Sequence, residues 1–101
     1  MEGKIAVGDV ILNRKSSSLF PDTVYGVIFD KKYGVQFSPI LDGSIYNEPT
    51  YTAILAAKIC LEGYRVSGDV LFFLYPQAST SSWIPKNREY VFSVGRHDFY
   101  A

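Results

Sequence analysis

One tryptophan, one histidine and one cysteine limit the chemistry open to this 101-residue chain. His97 has no Ser or Cys partner signal of the kind a nucleophilic triad needs, and no second His or cysteine cluster with which to hold a metal. It reads as a structural histidine tying the last hairpin together. Cys60 is the only cysteine, so neither an intrachain disulfide nor a cysteine-based zinc site can form. On an alanine-rich helix face it reads as core. Trp83 could stack on the apolar face of a pyranose, or plug the core beneath its own loop. The second reading takes precedence, because large aromatics are mostly structural. Asn13 and Arg14 close the first helix, where a cation complements the negative end of the helix dipole.

The composition narrows the class of ligand. Ten basic and ten acidic residues cancel, and the longest basic runs are the pairs Arg14-Lys15 and Lys31-Lys32. A nucleic-acid binder would show a basic stripe, so that class is set aside. Eight Tyr, seven Phe and one Trp argue against disorder. On a neutral surface, tyrosines suit a carbohydrate or peptide better than a polyanion. The apolar runs are too short to span a membrane, and these residues hold no basic-then-apolar leader.

The elements that must position these residues follow from periodicity and punctuation. Residues Glu2 to Arg14 read as a helix already under way at its first residue. Val7, Val10 and Ile11 form its apolar stripe with Ala6 beside it, while Lys4 and Asp9 point elsewhere. It has no Ser, Thr, Asp or Asn before it as a cap, which suggests a domain missing its front end. Phe20-Pro21 breaks the helix. Asp22 or Thr23 caps a short second helix to about Phe29, with Val24, Val27 and Ile28 buried. Lys31 to Gly34 reads as a polar turn, Val35 to Pro39 as an ordered loop, and Asp42-Gly43 as a turn.

The clearest helix is capped by Asn47 or Glu48, takes Pro49 in its first turn and stops at Gly63. Ala53, Ala56, Ala57, Cys60 and Leu61 define its apolar face, small enough for close approach to the first helix. Asp69 to Tyr75 reads as a strand stopped by Pro76, and Gln77 to Asn87 as a loop carrying Trp83 and Pro85. Tyr90 to Val94 and His97 to Tyr100 read as a hairpin around Gly95-Arg96. Helices first and a small antiparallel sheet last make an α+β domain.

With those segments placed, the chain resembles the SleB-type cell wall hydrolases, a family that includes the spore-cortex-lytic enzymes. The resemblance lies in Glu2 to Arg14, Phe20 to Phe29, Gln36-Phe37-Ser38, the stretch from Pro76 through Ser81-Ser82-Trp83-Ile84, and Gly95 to Tyr100, in this order. It implies a lysozyme-like domain acting as a peptidoglycan lytic transglycosylase. It also implies that the general-acid glutamate belongs to a Gly-Glu-Ala-Arg-Gly-Glu-like segment several residues before Glu2. Glycosidic cleavage needs a carboxylic acid kept protonated by burial beside the leaving oxygen. Most glycosidases add a second carboxylate; lytic transglycosylases, by the same resemblance, use one acid/base group and a hydroxyl of the sugar.

None of the ten carboxylates reads as a substitute. Asp22, Asp42 and Glu48 fall at caps or turns, Glu62 in the last turn of its helix, and Glu2 at a fraying end. No catalytic residue is therefore assigned within the chain. The resemblance places Gln36, Phe37 and Ser38 in the substrate groove, with Ser38 able to hydrogen-bond an N-acetyl group; an ordinary polar loop is the alternative. Trp83 and Tyr75 complete the substrate-binding set, although Tyr75 stands where the family usually has Asn. Tyr33 and Tyr46 flank the groove.

The expectation is a single α+β, lysozyme-like domain over residues 1–101, three helices and a short C-terminal antiparallel sheet, without its N-terminal catalytic segment. The function expected is cleavage of the bond between N-acetylmuramic acid and N-acetylglucosamine in peptidoglycan. A non-catalytic peptidoglycan-binding module, or an inactive fragment, is the alternative. Neither metal nor organic cofactor is expected. The partner is the glycan strand, with a homodimer through an exposed first-helix face as a further option, and the setting is extracellular, at the cell wall or spore.

Overall fold

A computed structural model of the chain describes residues 1–31, 37, 42–76 and 83–101. Helix α1 (Glu2–Lys15) is its axis. Glu2 in the first turn and Arg14 and Lys15 in the last suit the helix dipole, while no side chain caps the first turn. Thr23 caps α2 (Val24–Ile28), its hydroxyl accepting the Gly26 N–H at 2.9 Å. A 3-10 turn (Ser44–Tyr46) follows Gly43, whose φ of 77° only glycine adopts cheaply. Asp42 anchors that turn through the Ser44 N–H at 2.9 Å. Helix α3 spans Tyr51–Leu61, and the Gly63 and Tyr64 amides close its C-terminus onto the Cys60 and Ile59 carbonyls.

The second half is a three-stranded antiparallel sheet in the order β1-β3-β2, from β1 (Phe72–Leu74), β2 (Tyr90–Val94) and β3 (His97–Tyr100). Phe73 pairs with Phe99 on one side of β3 and Phe92 pairs with it on the other. A short α4 (Trp83–Asn87) precedes β2. The β2–β3 hairpin turns at Gly95, and its register shifts between Tyr90 and Phe92.

α1 contributes to two separate cores. Ala6 and Val10 join Val70 and Phe99, with Val7, Phe73, Phe92 and Val94 packed around them. Ile5 joins Ala56 and Cys60 of α3, flanked by Leu12, Ile59 and Val66. The second contact is tight: a Cβ on Gly8 would lie 2.7 Å from the Cys60 sulfur. The close α1–α3 approach and the core position of Cys60 follow the sequence reading, as do the α+β architecture and the terminal hairpin.

Several local expectations are corrected. α3 begins at Tyr51, not Pro49, because Thr50 is extended (ψ 158°) and caps with its own hydroxyl on the Ala53 N–H. Its inward face is Ala53, Ala56 and Cys60, whereas Ala57 and Leu61 are exposed. The strand expected from Asp69 to Tyr75 narrows to Phe72–Leu74. Val24 faces outward on α2 while Val27 is buried. Residues 83–87 are helical, since Pro85 sits in a first turn where no N–H is needed. Asp9, expected to point away from the core, is fully buried. Apart from Lys31 and Phe37, the expected turn and loop between Lys31 and Pro39 lie outside the described residues.

Candidate functional site

Three polar side chains of α1 hold the backbone that leads into β1. Asp9 Oδ2 accepts the Val66 and Ser67 N–H groups at 2.7 and 3.0 Å. Asn13 Nδ2 donates to the Ser67 and Val70 carbonyls at 3.1 and 2.9 Å. Arg14 Nε donates to the Leu71 carbonyl at 2.6 Å. These bonds satisfy buried backbone groups far away in sequence, which explains why charged residues enter the interior. Burial draws the Arg14 pKa down to about 10, partly opposed by the charge of Asp30, so the guanidinium stays cationic at neutral pH.

Around that cation lies a band of aromatic rings. The Arg14 guanidinium sits 4.6 Å from the Phe20 centroid, 5.2 Å from Phe72 and 5.9 Å from Phe37. Phe37 packs against Phe73 at 5.8 Å, Phe73 against His97 at 5.8 Å, and His97 against Tyr75 at 5.7 Å. Trp83 lies 6.0 Å from Phe72, whose ring Arg88 also covers at 4.8 Å. The three described members of the expected substrate set, Phe37, Tyr75 and Trp83, thus meet on one band organised by β1.

Their exposures differ. Phe37 is 8% exposed and belongs to the band's floor. Tyr75 is half-buried, its hydroxyl accepting from Arg96 Nη1 at 3.4 Å. Trp83 is 53% exposed, which overturns its assignment to the core, and its indole lies 6.0 Å from the Phe72 ring. Gln36, Ser38 and Tyr33 lie outside the described residues, and Tyr46 projects into solvent. His97 is packed between rings, in keeping with a structural part.

Beside Phe37 opens a hollow of about 400 Å³. Ile11, Ile28, Ile45 and Ala53 supply apolar walls, and Ser44, Asn47, Glu48 and Thr50 also line it, leaving a surface that is mostly apolar. Such a lining suits a ligand with an apolar face. Arg14, Ile45 and the Asn47–Thr50 segment escaped the sequence reading as site residues. For Arg14 the signal was present, since it falls four residues after Val10 and seven after Val7, on the buried stripe.

All ten carboxylates are among the described residues. Asp9 alone is buried, and it is committed to two amides. Asp42 is held below the usual carboxylate range by hydrogen bonds from the Ser44 side chain and backbone. Asp98 accepts from Ser93 Oγ at 2.6 Å. Glu2, Asp22, Glu48, Glu62, Asp69 and Glu89 are exposed, and Asp30 is intermediate. Burial, with the Asp9 charge added, pushes the Cys60 thiol up, and its Sγ donates to the Ile5 carbonyl oxygen at 3.6 Å. Among the described residues, no three of His, Cys, Asp and Glu converge to hold a metal ion. No described helix is long and apolar enough to cross a membrane.

A family model described as Cell Wall Hydrolase matches residues 1–100. The chain is 42% identical over 98 residues to the spore cortex-lytic enzyme of Oceanobacillus iheyensis, covering 97% of this chain and 34% of that protein. It is 39% identical over 98 residues to the spore cortex-lytic enzyme of Bacillus subtilis, covering 97% of this chain and 31% of that protein. The chain therefore spans about a third of the length of these curated relatives. Among solved structures, the catalytic domain of the germination-specific lytic transglycosylase SleB from Bacillus anthracis superposes with a TM-score of 0.87 at 38% identity, covering 98% of this chain and 78% of that one. The catalytic domain of the Bacillus cereus SleB protein gives 0.84 at 38% identity, with 98% and 74% covered.

Proposed function

Because this chain belongs to the cell wall hydrolase family, we propose that it is the glycan-holding part of a peptidoglycan-cleaving domain of the lytic transglycosylase type. The strand it holds alternates N-acetylmuramic acid and N-acetylglucosamine, and the bond at stake joins the first sugar to the second. The setting is the bacterial cell wall or the spore cortex. Gln36, Phe37, Ser38, Tyr75 and Trp83 form the substrate-binding set. The observation that carries this reading is the open hollow at Phe37, whose mostly apolar lining can take the apolar face of a pyranose. The outward indole of Trp83 adds a platform for a second ring.

Cleavage requires a protonated carboxyl that delivers its proton to the leaving glycosidic oxygen. The N-acetylglucosamine leaves with that oxygen, and a hydroxyl of the muramic sugar then bonds to its own anomeric carbon, closing an anhydro ring and returning its proton to the same carboxylate. Asp9 is bound to the Val66 and Ser67 amides, and the other nine carboxylates are exposed, intermediate in burial or already bonded. The acid in this reading therefore comes from polypeptide outside residues 1–101, which completes the domain. The same observation favours a second reading, a peptidoglycan-binding module without catalysis. Self-association through α1 is not part of either reading, since its fully exposed residues are Glu2, Lys4 and Lys15.

Purified sacculi separate these outcomes. The 101-residue chain is expected to pellet with sacculi without clearing their turbidity. Clearing by this chain alone would show that it contains its own acid, and failure to pellet would remove glycan holding altogether.

A further inference from the structure

On the face of the sheet opposite the α1 core, Tyr90, Ser93 and Asp98 form a chain of hydrogen bonds outside the site described above. Tyr90 pairs with Tyr100 across β2 and β3, and Ser93 pairs with Asp98, which sets all four side chains on one face. Ser93 Oγ donates to Asp98 Oδ1 at 2.6 Å, and the Tyr90 hydroxyl lies 2.7 Å from the same Oγ. A serine has one hydroxyl proton, and here the carboxylate takes it, so Tyr90 is the donor to Ser93. The Tyr90 ring meets Tyr100 edge to face, at 5.7 Å and 78°. Tyr90 is nevertheless 54% exposed. Tyr25, Tyr46, Tyr51 and Tyr64 are more exposed, yet none of them has its hydroxyl bonded to a described group. A ring that is held at both ends and still faces solvent is a preformed platform, because little rotamer freedom is left for a ligand to remove.

The chemistry of this face selects its ligand. The hydroxyl protons of Tyr90 and Ser93 are both engaged within the chain of bonds, which leaves acceptors facing out: the lone pairs of Tyr90 Oη and the second carboxylate oxygen of Asp98. That second oxygen bonds no described group and is not buried. A ligand here must therefore bring donors, and the Asp98 charge repels anions. A pyranose carries hydroxyl donors around its ring and C–H groups on its face, which suits an aromatic ring set beside acceptors. The face is also continuous with the Trp83 platform. Trp83 lies 6.0 Å from Phe72, Phe72 pairs with Tyr100 across β1 and β3, and Tyr100 pairs with Tyr90. We infer that Tyr90, Ser93 and Asp98 form a further sugar-binding subsite, which takes a neutral pyranose of the glycan strand outside the hollow at Phe37. The inference rests on the reading under Proposed function for the identity of the polymer, and it adds residues which that reading does not use.

Titration of the N-acetylglucosamine tetramer into the 101-residue chain, followed by amide NMR, tests this. Saturable shifts are expected at Tyr90, Ser93 and Asp98 with a millimolar constant, as suits one stacked ring and a few hydrogen bonds. Asp98→Asn keeps an acceptor for Ser93 and replaces the open oxygen with a donor, so the chain should melt as the parent does. Binding read at Tyr90 should weaken by about tenfold, the loss of one hydrogen bond to a charged group. Shifts around Phe37 and Trp83 should keep their parent constant. Tyr90→Ala should abolish the shifts at Ser93 and Asp98. Shifts confined to the hollow and Trp83, an unchanged constant in Asp98→Asn, or no shift at about 20 mM sugar would each overturn the inference. So would equal shifts from lysine amide, because the face would then hold a cation. Retention of the parent on sacculi tells the failures apart: where it persists only the added subsite falls, and where it is lost the glycan-holding reading falls with it.

Discussion

Asp9 Oδ2 accepts the Val66 N–H at 2.7 Å, joining the middle of the first helix to a backbone segment 57 residues later. The same oxygen takes the Ser67 N–H at 3.0 Å. Asp9→Ala leaves both amides without an acceptor in the interior and should lower stability by about 2–4 kcal/mol. Asp9→Asn keeps one acceptor oxygen and should lose about half as much. Urea unfolding followed by circular dichroism measures both; equal losses would show that packing at the site, not the amide bonds, sets the cost.

Gly8 and Cys60 make a sharper prediction, because its sign reverses with background. Gly8→Ala improves helix propensity by up to about 1 kcal/mol but places a methyl 2.7 Å from the Cys60 sulfur. The net result in the parent should be a loss of about 1–2 kcal/mol. In Cys60→Ala the sulfur is gone, and the nearest atom left, the residue-60 Cβ, stands at an ordinary 3.7 Å. There Gly8→Ala should be neutral or stabilising. A double-mutant cycle with no coupling would contradict the contact.

Ser44 lowers the Asp42 pKa through its side chain and backbone N–H. A carboxyl depressed in the folded state contributes stability above its unfolded pKa, near 3.9, and loses it as pH falls through the lower folded value. Ser44→Ala removes the side-chain bond, so the Asp42 carboxyl should titrate nearer its ordinary value. Carbon-detected NMR titration reads that shift directly, and an unchanged midpoint would assign the effect to the backbone bond alone.

Trp83 tests the glycan platform. About half of its surface meets solvent, so Trp83→Ala should cost the fold less than about 1 kcal/mol. Retention on sacculi should fall roughly tenfold, the worth of about 1.4 kcal/mol for one lost stacking surface. Unchanged retention would remove Trp83 from the substrate-binding set.

Much of the architecture was legible because it is locally encoded. Gly95 marks the turn between Tyr90–Val94 and His97–Tyr100, and the alanines of α3 announce a close helix contact. What escaped depends on partners distant in sequence. Asp9 read as pointing away from the core, and Arg14 only as a cation suited to the helix end, until the carbonyls and amides of residues 66–71 come alongside them. Trp83 read as core because nothing near it in sequence shows that about half of its surface meets solvent. Pro85 read as part of a loop, although a proline in the first turn of a helix removes no bond. Phe37 could be placed in the site only through the family resemblance; the hollow beside it is assembled from α1, α2, the 3-10 turn and α3, four elements that no local pattern brings together.

The single shared axle of this small protein, α1, has a dynamic consequence. Its one side is keyed to α3 and its other to the strands, so neither half can peel away while the other survives. The amides of Val10 and its neighbours in the middle of α1 should then exchange with deuterium only when the entire molecule opens, with the same free energy as those of β3.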